Sequence, residues 1–272
     1  MSYEIQHFGD TNNCKVVDEC GGMKVVEYQA DMSVLPHEAI NAYFCGKMNI
    51  RRRQLMCDLS QCHGNVTVQA GAMQWMAGNV SAVTGVKGVS DFIGKTLRSA
   101  VTKESAIKPE YSGDGLLVLE PTYKHLILTN VEDWADGIVL DDGLFLACES
   151  RLQQKIVART NLSSAVAGGE GLFNLGLQGY GVLCLESPVP YSELVCIELN
   201  NDTLKIDGNF AIAWSASLQL TVERAGKTLI GSAASGEGLV NVYRGTGRVL
   251  MAPVGGISMP ETGGSSAGIL SL

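Results

Sequence analysis

The chain has 272 residues, of which 46% are hydrophobic and 18% charged, and its formal net charge is −8. Such a composition belongs to a folded chain with a sizeable core and excludes a disordered one. The acidic balance argues against a nucleic-acid partner, because displacing counterions from phosphates takes a basic face.

The start, Met1-Ser2-Tyr3-Glu4, has neither a basic n-region nor an apolar h-region. No apolar run approaches the ~18 residues of a membrane-spanning helix. Eight Cys without an export signal read as reduced, mostly buried thiols, so the expected compartment is the cytoplasm. Gly21-Gly22 leads into the apolar Met23-Lys24-Val25-Val26. Pro36 and Glu38 near its start predict a short helix over 36–44. Arg51, Arg52 and Arg53 form the one basic run. It is a candidate contact for phosphate or acidic lipid, against the plainer reading of a solvated edge.

Cys57, Cys62 and His63 follow as Cys-x4-Cys-His. Zinc would want deprotonated thiolates and a fourth ligand. No matching Cys-x2-Cys is present, so buried or loop thiols are the simpler reading and no metal or cofactor is expected. The four His are His7, His37, His63 and His125, and no Gly-x-Ser-x-Gly elbow accompanies them. His125 reads as a strand-end residue.

Residues 89–103 place Phe92, Ile93, Leu97, Ala100 and Val101 on one helical face, with Ser90 and Asp91 at the start and Lys103 at the end. This predicts an inserted amphipathic helix. Its basic residues could touch a membrane surface, but packing on the rest of the chain is the plainer role.

The strongest pattern is internal repetition. Gly113-Asp114-Gly115, Gly179-Tyr180-Gly181 and Gly245-Thr246-Gly247 recur at intervals of 66 residues. Each opens a mainly apolar run that ends at Pro121, Pro188 or Pro253. Glycine permits a bend, the run makes a buried strand, and proline ends it. Glu104, Glu170 and Glu237 precede these pairs by nine, nine and eight residues. Recurrence in every unit suits a carboxylate that accepts bonds from turn amides better than an acidic ring for a cation. A second pattern, a tight turn followed by an apolar strand, recurs at 68–76, 140–148 and 206–214. Two interleaved patterns in register identify repetition.

These observations predict an all-β chain of three units. The first covers 1–103 with helical inserts near 36–44 and 89–103, the second 104–168 and the third 169–235. Residues 236–256 are expected to supply a closing strand to the first unit and so complete a ring, the rival for that place being 21–26. Residues 257–272 read as a flexible tail. The expected state is a monomer with internal pseudo-threefold symmetry, with which a dimer is compatible.

The Gly-Glu-Gly-Leu-Phe and Gly-Glu-Gly-Leu-Val motifs at 169–173 and 236–240, the Ala70-Gly71-Ala72-Met73 turn and the helix before Lys103-Glu104-Ser105 resemble the family once called domain of unknown function 124, now grouped with the mitochondrial biogenesis protein AIM24. The likeness covers roughly 10–256, with Pro36 to Arg53 as a departure. It implies short double-stranded β-helix repeats like the tryptophan RNA-binding attenuation protein, arranged three times as a ring within one chain. It also implies no established enzymatic activity, and its mitochondrial members are linked to inner-membrane organisation. The expected function is therefore non-enzymatic binding or scaffolding, near membranes or on a protein partner, with no catalytic residue assigned. The alternatives are a ring that binds a small molecule or RNA, by fold analogy alone, and a metal-dependent enzyme.

Overall fold

A computed structural model describes residues 3–63, 65–83, 108–158, 173–224 and 239–254. The helix expected over 89–103, the acidic markers Glu104, Glu170 and Glu237, and the tail 257–272 lie outside the described residues.

Within them the chain is almost entirely β, with one α-helix. The first part holds β1 (Cys14–Cys20), β2 (Met23–Tyr28), α1 (Ala39–Lys47), β3 (Arg53–Asp58), β4 (Asn65–Val68), β5 (Met73–Val83) and β6 (Glu110–Leu119). The middle holds β7 (His125–Asn130), β8 (Ile138–Leu140), β9 (Phe145–Glu149), β10 (Gln153–Ala158), β11 (Phe173–Gln178) and β12 (Val182–Ser187). The last part holds β13 (Val195–Asp207), β14 (Ala211–Ser215), β15 (Gln219–Arg224) and β16 (Leu239–Met251). A nine-stranded sheet runs β1-β2-β3-β6-β4-β9-β12-β7 with β5 also on β6, and a seven-stranded sheet runs β10-β11-β8-β14-β16-β13 with β15 also on β16.

The glycine pairs sit where strands change partners. In β6 the residues before Gly113 pair with β4, and those after Gly115 pair with β3, while β5 follows the whole length. At Gly179 and Gly181 the chain leaves β11 in one sheet and enters β12 in the other. In β16 the residues before Gly245 pair with β15 and the far half of β13. Those after Gly247 pair with β14 and the near half of β13. Gly113, Gly179 and Gly245 have φ of 128°, 113° and 125°, which side chains disfavour. At the second position the constraint is proximity. A Cβ on Gly115 would press on the Ala77 carbonyl oxygen, one on Gly181 would lie 2.8 Å from a Glu149 oxygen, and one on Gly247 would lie 2.6 Å from the Ser215 Cβ.

Two seams join the parts through main-chain ladders. β4 pairs with β9, with Val66 opposite Glu149 and Val68 opposite Ala147. β8 pairs with β14, with Leu140 opposite Ala213. Strand β9 reads Phe-Leu-Ala-Cys-Glu with every residue buried, as a strand covered on both faces must be. The core follows the seams: Trp134, Leu140, Phe145, Leu183 and Leu250 share one apolar cluster, while Met23, Leu55, Leu117 and Cys184 share another.

The closing strand differs from expectation. β16 finds its partners in β13, β14 and β15, all in the last part of the chain, and β2 is the strand added to β3. The glycine-pair strand therefore ends each set of strands and does not open the next. The rival stretch at 21–26 is the one that extends the first part, through the β1–β2 hairpin. Helix α1 begins three residues later than 36 and runs on to Lys47.

Candidate functional site

The basic run comes first, because its sequence hid its partners. Glu27 and Arg53 are directly opposite in the β2–β3 ladder. Arg53 Nη2 lies 2.7 Å from the Glu27 carboxylate, and the Arg53 side chain is 5% exposed. Arg51 lies 3.8 Å from Glu27 and also donates to the Gln29 carbonyl. Arg52 lies 2.8 Å from Asp31 and over the Tyr28 ring. Tyr123 donates to Asp31 at 2.6 Å, and burial together with that carboxylate pushes its hydroxyl up to about 12. The three arginines thus clamp the root of the 29–52 segment. Arg53→Ala is expected to cost about 2–3 kcal/mol by leaving Glu27 half-buried without its partner. Arg51→Ala should cost under ~1 kcal/mol, and paired urea titrations measure both.

Cys57 and Cys62 are both buried in the apolar cluster under β2 and β3. Burial pushes the Cys57 thiol well up, and burial followed by the Glu149 charge pushes Cys62 up to about 12. Thiols held protonated are poor metal ligands. Among the described residues no three His, Cys, Asp or Glu are grouped to hold a metal ion.

His63 sits on a left-handed backbone with φ 54°, its side chain exposed while the thiols are buried. Its Nδ1 lies 2.9 Å from Glu149 Oε1. Glu149 is 1% exposed and is the centre of a buried polar network. Its Oε2 accepts from Arg151 Nε at 3.0 Å, Arg151 Nη2 at 2.8 Å and the Val182 amide at 3.0 Å. Burial works against the charge, yet the bonds from His63, Val182 and Arg151 outweigh it and hold the carboxyl below its usual range. One carboxylate thereby ties the turn at 59–63 to β9 and to the start of β12. The close approach of Gly181 is what admits it. A cavity of about 200 Å³ opens beside it, lined by Cys62, His63, Asn65, Glu110, Ser150 and Arg151. Sequence reasoning missed Glu149; the available signal was a lone acid ending the apolar run Phe145 to Cys148.

A larger cavity of about 480 Å³ lies where β1, β3, β7 and β13 approach one another. Asp18, Arg53, His125, Trp134, Cys196 and Arg248 line it with several leucines. Burial, then the Arg53 charge, lowers the His125 pKa, which favours a neutral imidazole. Arg248 stacks 5.4 Å from the Trp134 ring centre and pairs with Glu198 at 3.2 Å.

The third feature is the segment carrying α1. The helix buries none of its residues, and Met32, Ile40 and Met48 are 80%, 71% and 75% exposed. Leu35, Tyr43, Phe44 and Ile50 are exposed as well. Sequence reasoning found the helix but not its bareness.

The family model for mitochondrial biogenesis AIM24 matches residues 49–254. An uncharacterised protein of Streptococcus pyogenes serotype M6 is 32% identical over 193 residues, covering 68% of this chain and 75% of that protein. The crystal structure of a Streptococcus pyogenes protein matches with a TM-score of 0.55 at 25% identity, covering 85% of this chain and 94% of the other. α1 falls before the matched family region, whereas Glu149 and the smaller cavity fall on it, and the larger cavity adds Val17, Asp18 and Val25 from before it. Matched by that model from residue 49 through the end of the described strands, the chain belongs to the AIM24 family.

Proposed function

We propose that this chain is a non-enzymatic binding or scaffold protein that works in the cytoplasm and engages a partner through the 29–52 segment. The carrying observation is a helix that presents its apolar side chains to solvent while its root is held by Asp31, Arg52 and Tyr123. An exposed apolar patch on a rigid root is the signature of an interaction surface. The polar network supports the same reading from the other side. Beside the two local bonds from Arg151, the contacts of Glu149 go to His63 and to the Val182 amide and tie separate segments together, which is the work of a strut. With Arg51, Arg52 and Arg53 paired to acids, the basic run offers little to RNA phosphates.

The scaffold behind the segment is proposed to be three copies of one unit arranged about a pseudo-threefold axis, like the attenuation protein ring. In its support, each glycine-pair strand, β6, β11–β12 and β16, is flanked by an equivalent series: β3, β4 and β5; β7, β8, β9 and β10; β13, β14 and β15.

The test replaces Ile40 and Phe44 together by Asp in the full chain. In-cell crosslinking should lose its products, while the far-UV circular dichroism spectrum stays the same. Unchanged crosslinks would remove the segment as the docking element. A second reading, a small-molecule carrier, is favoured by the ~480 Å³ cavity, a volume within the range of ligand sites. Native mass spectrometry decides it: a bound compound that is expelled by His125→Trp supports it, and a bare chain dismisses it.

A further inference from the structure

We infer that the 29–52 segment is covered by a second copy of this chain, with two α1 helices packed antiparallel across a two-fold axis. This rests on the reading of that segment as the docking element and names its partner.

The first ground is the helix itself. α1 spans nine residues, has no side-chain cap at Glu38 and buries none of its side chains. Helices shorter than ~12–15 residues are marginal in water without packing. The described residues of the same chain leave Ala42, Cys45 and Gly46 half-buried and cover none of the large apolar side chains of the helix, so the contact that would cover those has to come from outside them.

The second ground is the pattern. Ile40, Tyr43, Phe44 and Met48 fall at i, i+3, i+4 and i+8, a stripe of the width that two helices share. Tyr43 and Phe44 already stack edge to face at 5.6 Å. Met32, Leu35 and Ile50 flank the stripe and are equally bare. These are large apolar side chains of the kind that the core of an interface buries. Aromatic residues and Met are the types enriched there.

The third ground is charge. Among the residues of α1 and its cap, Glu38 and Lys47 carry the opposite charges, one at each end, and both are exposed. An antiparallel pair sets Lys47 beside Glu38 of the second copy, twice over. Each cation already sits at its own helix C-terminus, where the dipole favours it. Lys47 Nζ lies over the Tyr43 ring, 5.3 Å from its centre, so the cation itself is held beside the stripe. A bilayer would offer the stripe apolar contact and its headgroup phosphates to Lys47, but no fixed register that pairs Lys47 with Glu38.

Sedimentation velocity on the full chain, from about 1 to about 100 μM, is the test. The expected mass is twice 28.9 kDa. Ile40→Asp with Phe44→Asp should weaken association by on the order of 100-fold or more, with the circular dichroism spectrum kept. Glu38→Lys and Lys47→Glu should each weaken it, and the two together in one chain should restore it, which only the antiparallel arrangement predicts. A chain that stays monomeric at the highest concentration overturns the inference, as does a dimer indifferent to the Asp substitutions. Flotation with phosphatidylcholine vesicles separates the two levels. A monomer that floats through Phe44 replaces the second copy by lipid and keeps the docking element. A monomer that neither floats nor loses its in-cell crosslinks on the Asp substitutions ends both.

Discussion

Gly113→Ala and Gly115→Ala are each expected to lower the melting temperature by about 10 °C, from a loss of ~3–5 kcal/mol. The cause is the backbone of β5, which runs so close that a new methyl group would press on the carbonyl oxygens of Asn79 and Ala77. Neither oxygen sits on a flexible side chain, so the ladder itself has to shift. The controls are Gly71 and Gly143. Both have positive φ, 81° and 77°, but an added Cβ meets nothing within 4 Å. Alanine at either should cost only the conformational strain, about 1 kcal/mol. Gly179 and Gly245 fall between, because their nearest neighbours stand 3.7 and 3.5 Å away while φ remains unfavourable. Thermal scans of these variants give a ranking. Should Gly113→Ala cost no more than Gly71→Ala, close approach is not what the repeated glycine provides.

Glu149→Ala should be the most damaging change outside the glycines, at about 3–4 kcal/mol near neutral pH. It strips the buried Val182 amide of its acceptor and leaves a void behind β9. His63 and Arg151 both reach water, so each regains solvent contacts when the carboxylate is removed and adds less to the loss. The pH dependence fixes the sign. The carboxyl is held below the usual carboxylate range in the folded chain, so its ionised form favours folding. That contribution is complete above the unfolded value and drains away as the pH falls through the lower folded one. Urea midpoints of the parent and of Glu149→Ala should therefore lie far apart at neutral pH and draw together as the pH falls below the usual carboxylate range. A gap that persists in acid assigns the loss to packing and not to the charge. Gly181→Ala should expel the same carboxylate, so its cost and that of Glu149→Ala should fall well short of additive.

Much of this architecture was legible because it rests on local chemistry. A glycine pair followed by an apolar run and a proline states a bend, a buried strand and a stop, whatever surrounds it. The turn-and-strand motif at 140–148 and 206–214 likewise became β9 and β14 with the turns before them. What stayed hidden depends on register across long separations. Arg51, Arg52 and Arg53 look like a free basic edge until the β2–β3 ladder sets Glu27 opposite Arg53. Glu149 looks like the polar end of a strand until β12 and the 59–63 turn close over it. The role of 236–256 was misread for the same reason. A strand with two halves can close its own set or open the next, and only the pairing of β16 with β13, β14 and β15 decides. Cys57 and His63 show a further limit, since residues six apart in sequence can point into opposite surroundings.

The seams carry a consequence for synthesis. The edge of β8 that β14 will occupy is completed only when residues 211–215 have been made, about 70 residues later. At ~5–20 residues per second on the ribosome, a central strand rich in Ile, Val and Leu waits several seconds with half its hydrogen bonds unmade. A nascent chain in that state is a template for pairing with its neighbours. Messages truncated after β12 should yield insoluble product, and the burden on chaperones should fall in the interval between the middle and last parts of the chain, not after release.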